Sequence, residues 1–169
     1  MACIIPGMAI PLEERIGDEL RLGGLRLALA ESCTGGLVGH RITNVPGSST
    51  YYMGSVTAYA YEAKVRLLDV SWATLEQHGA VSPETVTEMA RGARQALAAD
   101  LGIAISGIAG PGGGTPEKPV GLVWMGLSAP DGDWTRSFNF DGDRLLVKEQ
   151  AAEAALQFGL DYLDGKLTK

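Results

Sequence analysis

Positive charge is scarce in this chain. Its 169 residues carry 14 Lys and Arg against 20 Asp and Glu, a formal net charge of -6. A general nucleic-acid surface needs clustered cations and is disfavoured, whereas a local positive pocket is not. Cysteine is scarcer: Cys3 lies near the terminus and Cys33 in mid-chain, which provides no disulfide framework and fits a reducing compartment. Histidine occurs only at His40 and His78. No His, Cys, Asp or Glu cluster has ligand spacing, so no metal is expected. The opening MACIIPGMAIPLEE lacks a basic start, and Pro6 and Pro11 break its short apolar part. Neither a signal peptide nor a membrane span is expected, and the protein reads as cytoplasmic. There is no repeat, linker or low-complexity tract. The length suits one domain over residues 1–169, with 1–10 and 164–169 loose.

What is present is an alternation of apolar runs and amphipathic stretches. Periodicity predicts helices over 11–22, 34–43, 62–68, 72–78, 83–99 and 145–163. Strands are predicted over 25–31, 55–60, 101–106, 120–128 and 134–140. Ser82-Pro83-Glu84 is a strong helix start, Asp141-Gly142-Asp143-Arg144 caps the last helix, and Ala129-Pro130-Asp131-Gly132-Asp133 makes a hairpin of the last two strands. A single helix joins the first two strands, so they should be parallel neighbours with their carboxyl ends on one rim. The fold class is α/β: a three-layer α/β/α arrangement around a mixed, largely parallel sheet.

Two strand ends draw attention. The run LALAESCTGG stops at Glu31-Ser32-Cys33-Thr34-Gly35-Gly36, and Leu101 to Ser106 runs into Gly107-Ile108-Ala109-Gly110-Pro111-Gly112-Gly113-Gly114. Each ends at a hydroxyl and a glycine loop, at the edge where open α/β sheets place ligands. Successive backbone N–H groups in such turns suit an anion. Neither loop has Walker or dinucleotide spacing, so NTP and NAD are disfavoured and no cofactor is expected.

A serine nucleophile needs a base, and neither histidine is well placed to serve. Lys64, on the rim beside Ser32, could serve if its pocket lowers its pKa. The plain alternatives are a solvated Lys64 paired with Glu62 or Asp69, Ser32 as a helix cap, Cys33 as a space-filling residue, residues 110–119 as a flexible loop, and Arg144 paired with Asp141 or Asp143.

The motifs AESCTGG, VPGSS, AYAYEAK, QHGAVS, SGIAGPGGGTPEKPVG and FDGDR, in this order, resemble the CinA carboxy-terminal domain family, the nicotinamide-nucleotide amidases, over nearly the whole chain. The likeness is to the stand-alone form. It implies hydrolysis of the carboxamide of nicotinamide mononucleotide to nicotinate mononucleotide and ammonia, in pyridine nucleotide recycling, by a metal-free Ser/Lys amidohydrolase. Ser32 would then be the nucleophile and Lys64 the base and later the proton donor, with Tyr59 steadying Lys64 or the amide. Ser106 matches a Thr or Ser position, and Arg144 the arginine of a GDR segment. Backbone N–H groups from Cys33 through Thr34 and Gly35 to Gly36 would hold the oxyanion. Phosphate would lie against Gly110, Gly112, Gly113 and Gly114, or against Arg144. Ser48 and Ser49 of VPGSS are rival nucleophiles, although topology sets them on the opposite rim. Two departures from the family pattern are Ala60-Tyr61 where many relatives have Ser-Asn, and Ser55 where glycine is frequent; Tyr61 could stack on a ring. The rival reading is a non-catalytic nucleotide-binding module, regulatory or associated with competence or repair. Sheets covered on both faces often pair through an edge or a helix, which is compatible with a homo-oligomer.

Overall fold

A computed structural model describes residues 10–167. The expected looseness of residues 1–9, with Cys3, lies outside them. The described residues form six α-helices and five strands, the strands in one mixed sheet of order β2-β1-β3-β4-β5. The strands are β1 (Leu27–Glu31), β2 (Tyr52–Thr57), β3 (Leu101–Gly107), β4 (Leu122–Ala129) and β5 (Gly132–Asn139). β2, β1 and β3 are parallel, while β4 is antiparallel to both β3 and β5. Helices α1 (Leu12–Gly23), α2 (Leu37–Thr43) and α6 (Arg144–Leu163) cover one face; α3 (Tyr61–Leu68), α4 (Trp72–His78) and α5 (Pro83–Ala96) cover the other. This is the three-layer α/β arrangement read from the sequence.

The layers explain the residue pattern. β1 is buried along its whole length, because helices press on both faces. Its odd positions Leu27 and Leu29 join the core beneath α6, and its even positions Ala28 and Ala30 join the core beneath α5. Gly102 on β3 and Gly126 on β4 let α5 lie close. A Cβ on either would collide with a backbone carbonyl of α5, that of Ala90 or of Val86. The Ser82 hydroxyl caps α5 through Thr85 N, and the Asp143 carboxylate caps α6 through Leu146 N.

Most element ends fall within three residues of expectation, and three departures have a clear cause. β2 begins and ends three residues early, because Ala58 to Ala60 leave the sheet to turn their carbonyls elsewhere. α2 starts at Leu37 rather than Thr34, because the preceding turn wraps a carboxylate. Residues 164–167 do not trail away: Gly165 N and Lys166 N bond back to α6 carbonyls, and Leu167 packs against the core.

Candidate active site

The register of the three parallel strands builds the site. Glu31 pairs with Thr57 on one side and with Ile105 on the other, so the next residue on each chain, Ser32, Ala58 and Ser106, forms one row just past the sheet. Ser32 N still donates to Ile105 O and Ala58 N to Glu31 O. The pleat sends Ser32 to the α3 and α5 side, as it does Ala28 and Ala30, and sends Glu31 to the α2 side.

α3 carries Lys64 back over this row. The side chain is 1% exposed, and its Nζ lies 3.0 Å from Ser32 Oγ, 2.8 Å from Ala58 O and 3.0 Å from Tyr59 O. It has no ion-pair partner among the described residues, so it does not pair with Glu62 or Asp69. Burial therefore dominates and pushes the ammonium down from its usual 10.5 to about 8. A neutral amine has two N–H bonds and one lone pair. With the two carbonyls accepting the N–H bonds, the lone pair is left for the Ser32 hydroxyl. Cys33 is different: burial raises its thiol to about 11, so it stays protonated and fills space as a small apolar residue.

A cavity of about 270 Å³ opens above the pair. Of the residues singled out in the sequence, Ser32, Cys33, Tyr59, Lys64, Ser106, Gly107, Gly110, Gly112, Gly113 and Arg144 line it. The Ser106 hydroxyl bonds to no protein group among the described residues and stands free for a ligand. Arg144 does not pair with Asp141 or Asp143. It donates to Gly110 O at 2.8 Å and to the Tyr59 hydroxyl at 3.0 Å. Residues 110–119 are fastened rather than loose, since Lys118 Nζ also donates to His78 O and Thr115 N to Lys118 O.

Several expectations need correction. Tyr59 holds Lys64 through its backbone carbonyl, while its exposed ring reaches Arg144. Thr34, Gly35 and Gly36 lie outside the cavity lining. Gly36 N donates to Glu31 and Gly35 N to Ser32 O, while the N–H groups of Cys33 and Thr34 face the Cys33 sulfur. Ser48 and Ser49 sit in a short 3-10 turn before β2, beside the amino end of β1 and a strand's length from Ser32; neither is near Lys64. Tyr61 tilts against Trp72 and accepts a bond from Ala80 N; it backs the wall that Ala80 forms and does not itself line the cavity. His40 is exposed on α2, and His78 lies 3.7 Å from Glu84; neither lines the cavity.

Two residues went unnoticed in the sequence. Glu31 is fully buried without a cation, and its carboxylate accepts from Thr34 Oγ1, Gly36 N, Val38 N, Gly39 N and Ser55 Oγ at 2.7–3.2 Å. Its signal was an acid ending an otherwise apolar strand. Lys148, one turn along α6 from Arg144, places Nζ 3.8 Å from where a Cβ on Gly35 would stand, and it has no carboxylate partner among the described residues. Among the described residues no three His, Cys, Asp or Glu side chains converge as a metal site. No helix there is long and apolar enough to cross a membrane.

The family model for the CinA C-terminal domain matches residues 9–163. A CinA-like protein of Salinibacter ruber is 50% identical over 148 residues, which is 88% of this chain but 36% of that protein; the chain thus spans little more than a third of such a relative. Among solved structures, a competence-damaged protein (CinA) superfamily protein from Klebsiella pneumoniae superposes with a TM-score of 0.88 at 36% identity, covering 91% of this chain and 96% of that one. The competence/damage inducible protein of Agrobacterium tumefaciens gives 0.86 at 36% identity, covering 93% and 99%. On a match over almost its full length, the chain belongs to the CinA C-terminal domain family.

Proposed function

We propose that the chain is a Ser/Lys amidohydrolase that converts nicotinamide mononucleotide to nicotinate mononucleotide and ammonia. The observation that carries the reading is the 3.0 Å contact between Lys64 Nζ and Ser32 Oγ at the floor of a cavity. Burying an ammonium without a counter-ion is costly, and a merely structural lysine has no use for it. A base has, because a pKa near 8 leaves about 9% of the lysines neutral at pH 7, against about 0.03% at 10.5.

In the first half-reaction Lys64 takes the Ser32 proton as Oγ attacks the carboxamide carbon. The oxyanion faces the Cys33 N–H at the cavity wall, where it displaces the weakly accepting Cys33 sulfur. Lys64 then returns the proton to nitrogen, the C–N bond breaks, and ammonia leaves an acyl ester on Ser32. In the second half-reaction Lys64 takes a proton from water, the hydroxide attacks the ester, and the proton passes to the departing Ser32 Oγ, releasing the acid. Arg144, with Lys148 one turn away, supplies cations for the phosphate at the cavity rim. The protein acts in the cytoplasm, without metal or cofactor, on a free nucleotide.

The assay is ammonia release from nicotinamide mononucleotide by purified protein. Turnover should vanish in Ser32→Ala and in Lys64→Ala. Undiminished turnover in either variant overturns the mechanism, and tight binding without ammonia favours the binding-module reading.

A further inference from the structure

We infer that Glu31 is the positioning residue of the nucleophile: its buried carboxylate, seated at the amino end of α2, fixes the turn that aims Ser32 at Lys64. The inference rests on the Ser/Lys reading above and concerns how the dyad is held rather than what it does.

A helix amino terminus offers unpaired N–H groups and favours an anion. A glycine turn feeding such a terminus is usually read as a ligand site, but here the protein supplies its own anion. Glu31 Oε2 accepts from Thr34 Oγ1 at 2.7 Å, Gly36 N at 3.0 Å and Val38 N at 3.1 Å, while Oε1 accepts from Gly39 N at 2.9 Å and Ser55 Oγ at 3.2 Å. Four of these donors belong to the segment that follows Ser32, and the fifth lies on β2. The carboxylate thus ties the turn to α2 and to the neighbouring strand at once. Tight closure is enforced by small residues: Gly36 adopts φ +97, and a Cβ on Gly39 would meet both Tyr52 Oη and Glu31 Oε1.

Ser32 lies between this anchor and β3, where its N–H bonds to Ile105 O. Adjacent residues of the pleat point to opposite faces, so Glu31 is locked on the α2 side as Ser32 meets Lys64 on the α3 side. With both flanks fixed, the Oγ to Nζ distance is set before substrate arrives. Misplacement of a reacting group by about 1 Å can cost about 100-fold in rate.

The test compares Glu31→Gln and Thr34→Val with Ile16→Val, a core change on α1 remote from the site. Glutamine has nearly the same shape, but wherever its NH₂ is placed it faces at least one backbone N–H that formerly donated to an oxygen, Gly39 N at one position or Gly36 N and Val38 N at the other. Expected for Glu31→Gln is a fall in kcat of at least tenfold with KM within twofold, and an equal slowing of Ser32 labelling by a fluorophosphonate probe. Thr34→Val, which removes the 2.7 Å bond alone, should show a smaller fall of the same kind. Ile16→Val should lower Tm without slowing either reaction. Full kcat and labelling rate in Glu31→Gln overturn the inference, as does a loss in Ile16→Val matching its loss of Tm. If the wild type labels at Ser32 but releases no ammonia, the substrate assignment fails and the labelling comparison still decides the role of Glu31. A wild type inert to both overturns the Ser/Lys reading and this inference with it.

Discussion

Replacing Lys64 by methionine should abolish activity and, at neutral pH, change stability in a way that reports the buried charge. In the folded protein the ammonium titrates at about 8, and in the unfolded chain near 10.5. Below pH 8 both states are protonated, and the folded state bears the full cost of an unpaired ammonium, about 3 kcal/mol. Between 8 and 10.5 the unfolded chain binds more protons than the folded one, so wild-type stability rises with pH through that window. Methionine carries no such charge. It does leave Ala58 O and Tyr59 O without their donor, at about 1 kcal/mol or more each, which offsets part of the gain at pH 7. That offset does not titrate, whereas the ammonium does. The informative quantity is therefore the stability difference between Lys64→Met and wild type, measured by urea unfolding at pH 7 and pH 10. It should move against methionine by about 2 to 3 kcal/mol on going to the higher pH. Buried phenols titrate in both proteins and cancel; the Cys33 thiol, which is coupled to the Lys64 ammonium, is removed by making the comparison in a Cys33→Ala background. A difference flat with pH would refute the claim that Lys64 is held near neutrality by burial.

The same titration should appear in kinetics: kcat/KM rises about tenfold per pH unit below 8 and levels above it. Lys64→Arg, which keeps a cation that cannot deprotonate, should lose at least 100-fold across the range. Lys148→Gln should raise KM for the mononucleotide about tenfold while leaving turnover of the dephosphorylated nucleoside unchanged, as read by the ammonia assay. Gly92→Ala drives a methyl into the Leu68 carbonyl where α5 crosses α3 and should cost about 1 to 3 kcal/mol. Gly112→Ala, with nothing within 4 Å of the new Cβ, should leave Tm within about two degrees.

The sequence by itself determined the elements whose signals are local. Ser82 and Asp143 act through bonds three residues away, Pro130-Asp131 closes the hairpin by its own turn chemistry, and the unbroken apolar run of β1 already implied helices on both faces. The crossover rule then sufficed to put Ser32 and Lys64 on one rim and Ser48 and Ser49 on the other. Only the tertiary structure decided what those groups touch. Lys64 could have been a solvated lysine; the carbonyls that hold it come from Ala58 and Tyr59, whose side chains give no hint of that role. The ESCTGG turn looked like an empty anion site until folding brought Glu31 beneath α2 and filled it from within. Caps and turns are legible because their partners lie within a few residues, whereas the charge on a lysine and the occupant of a helix terminus depend on which distant backbone atoms exclude water from them.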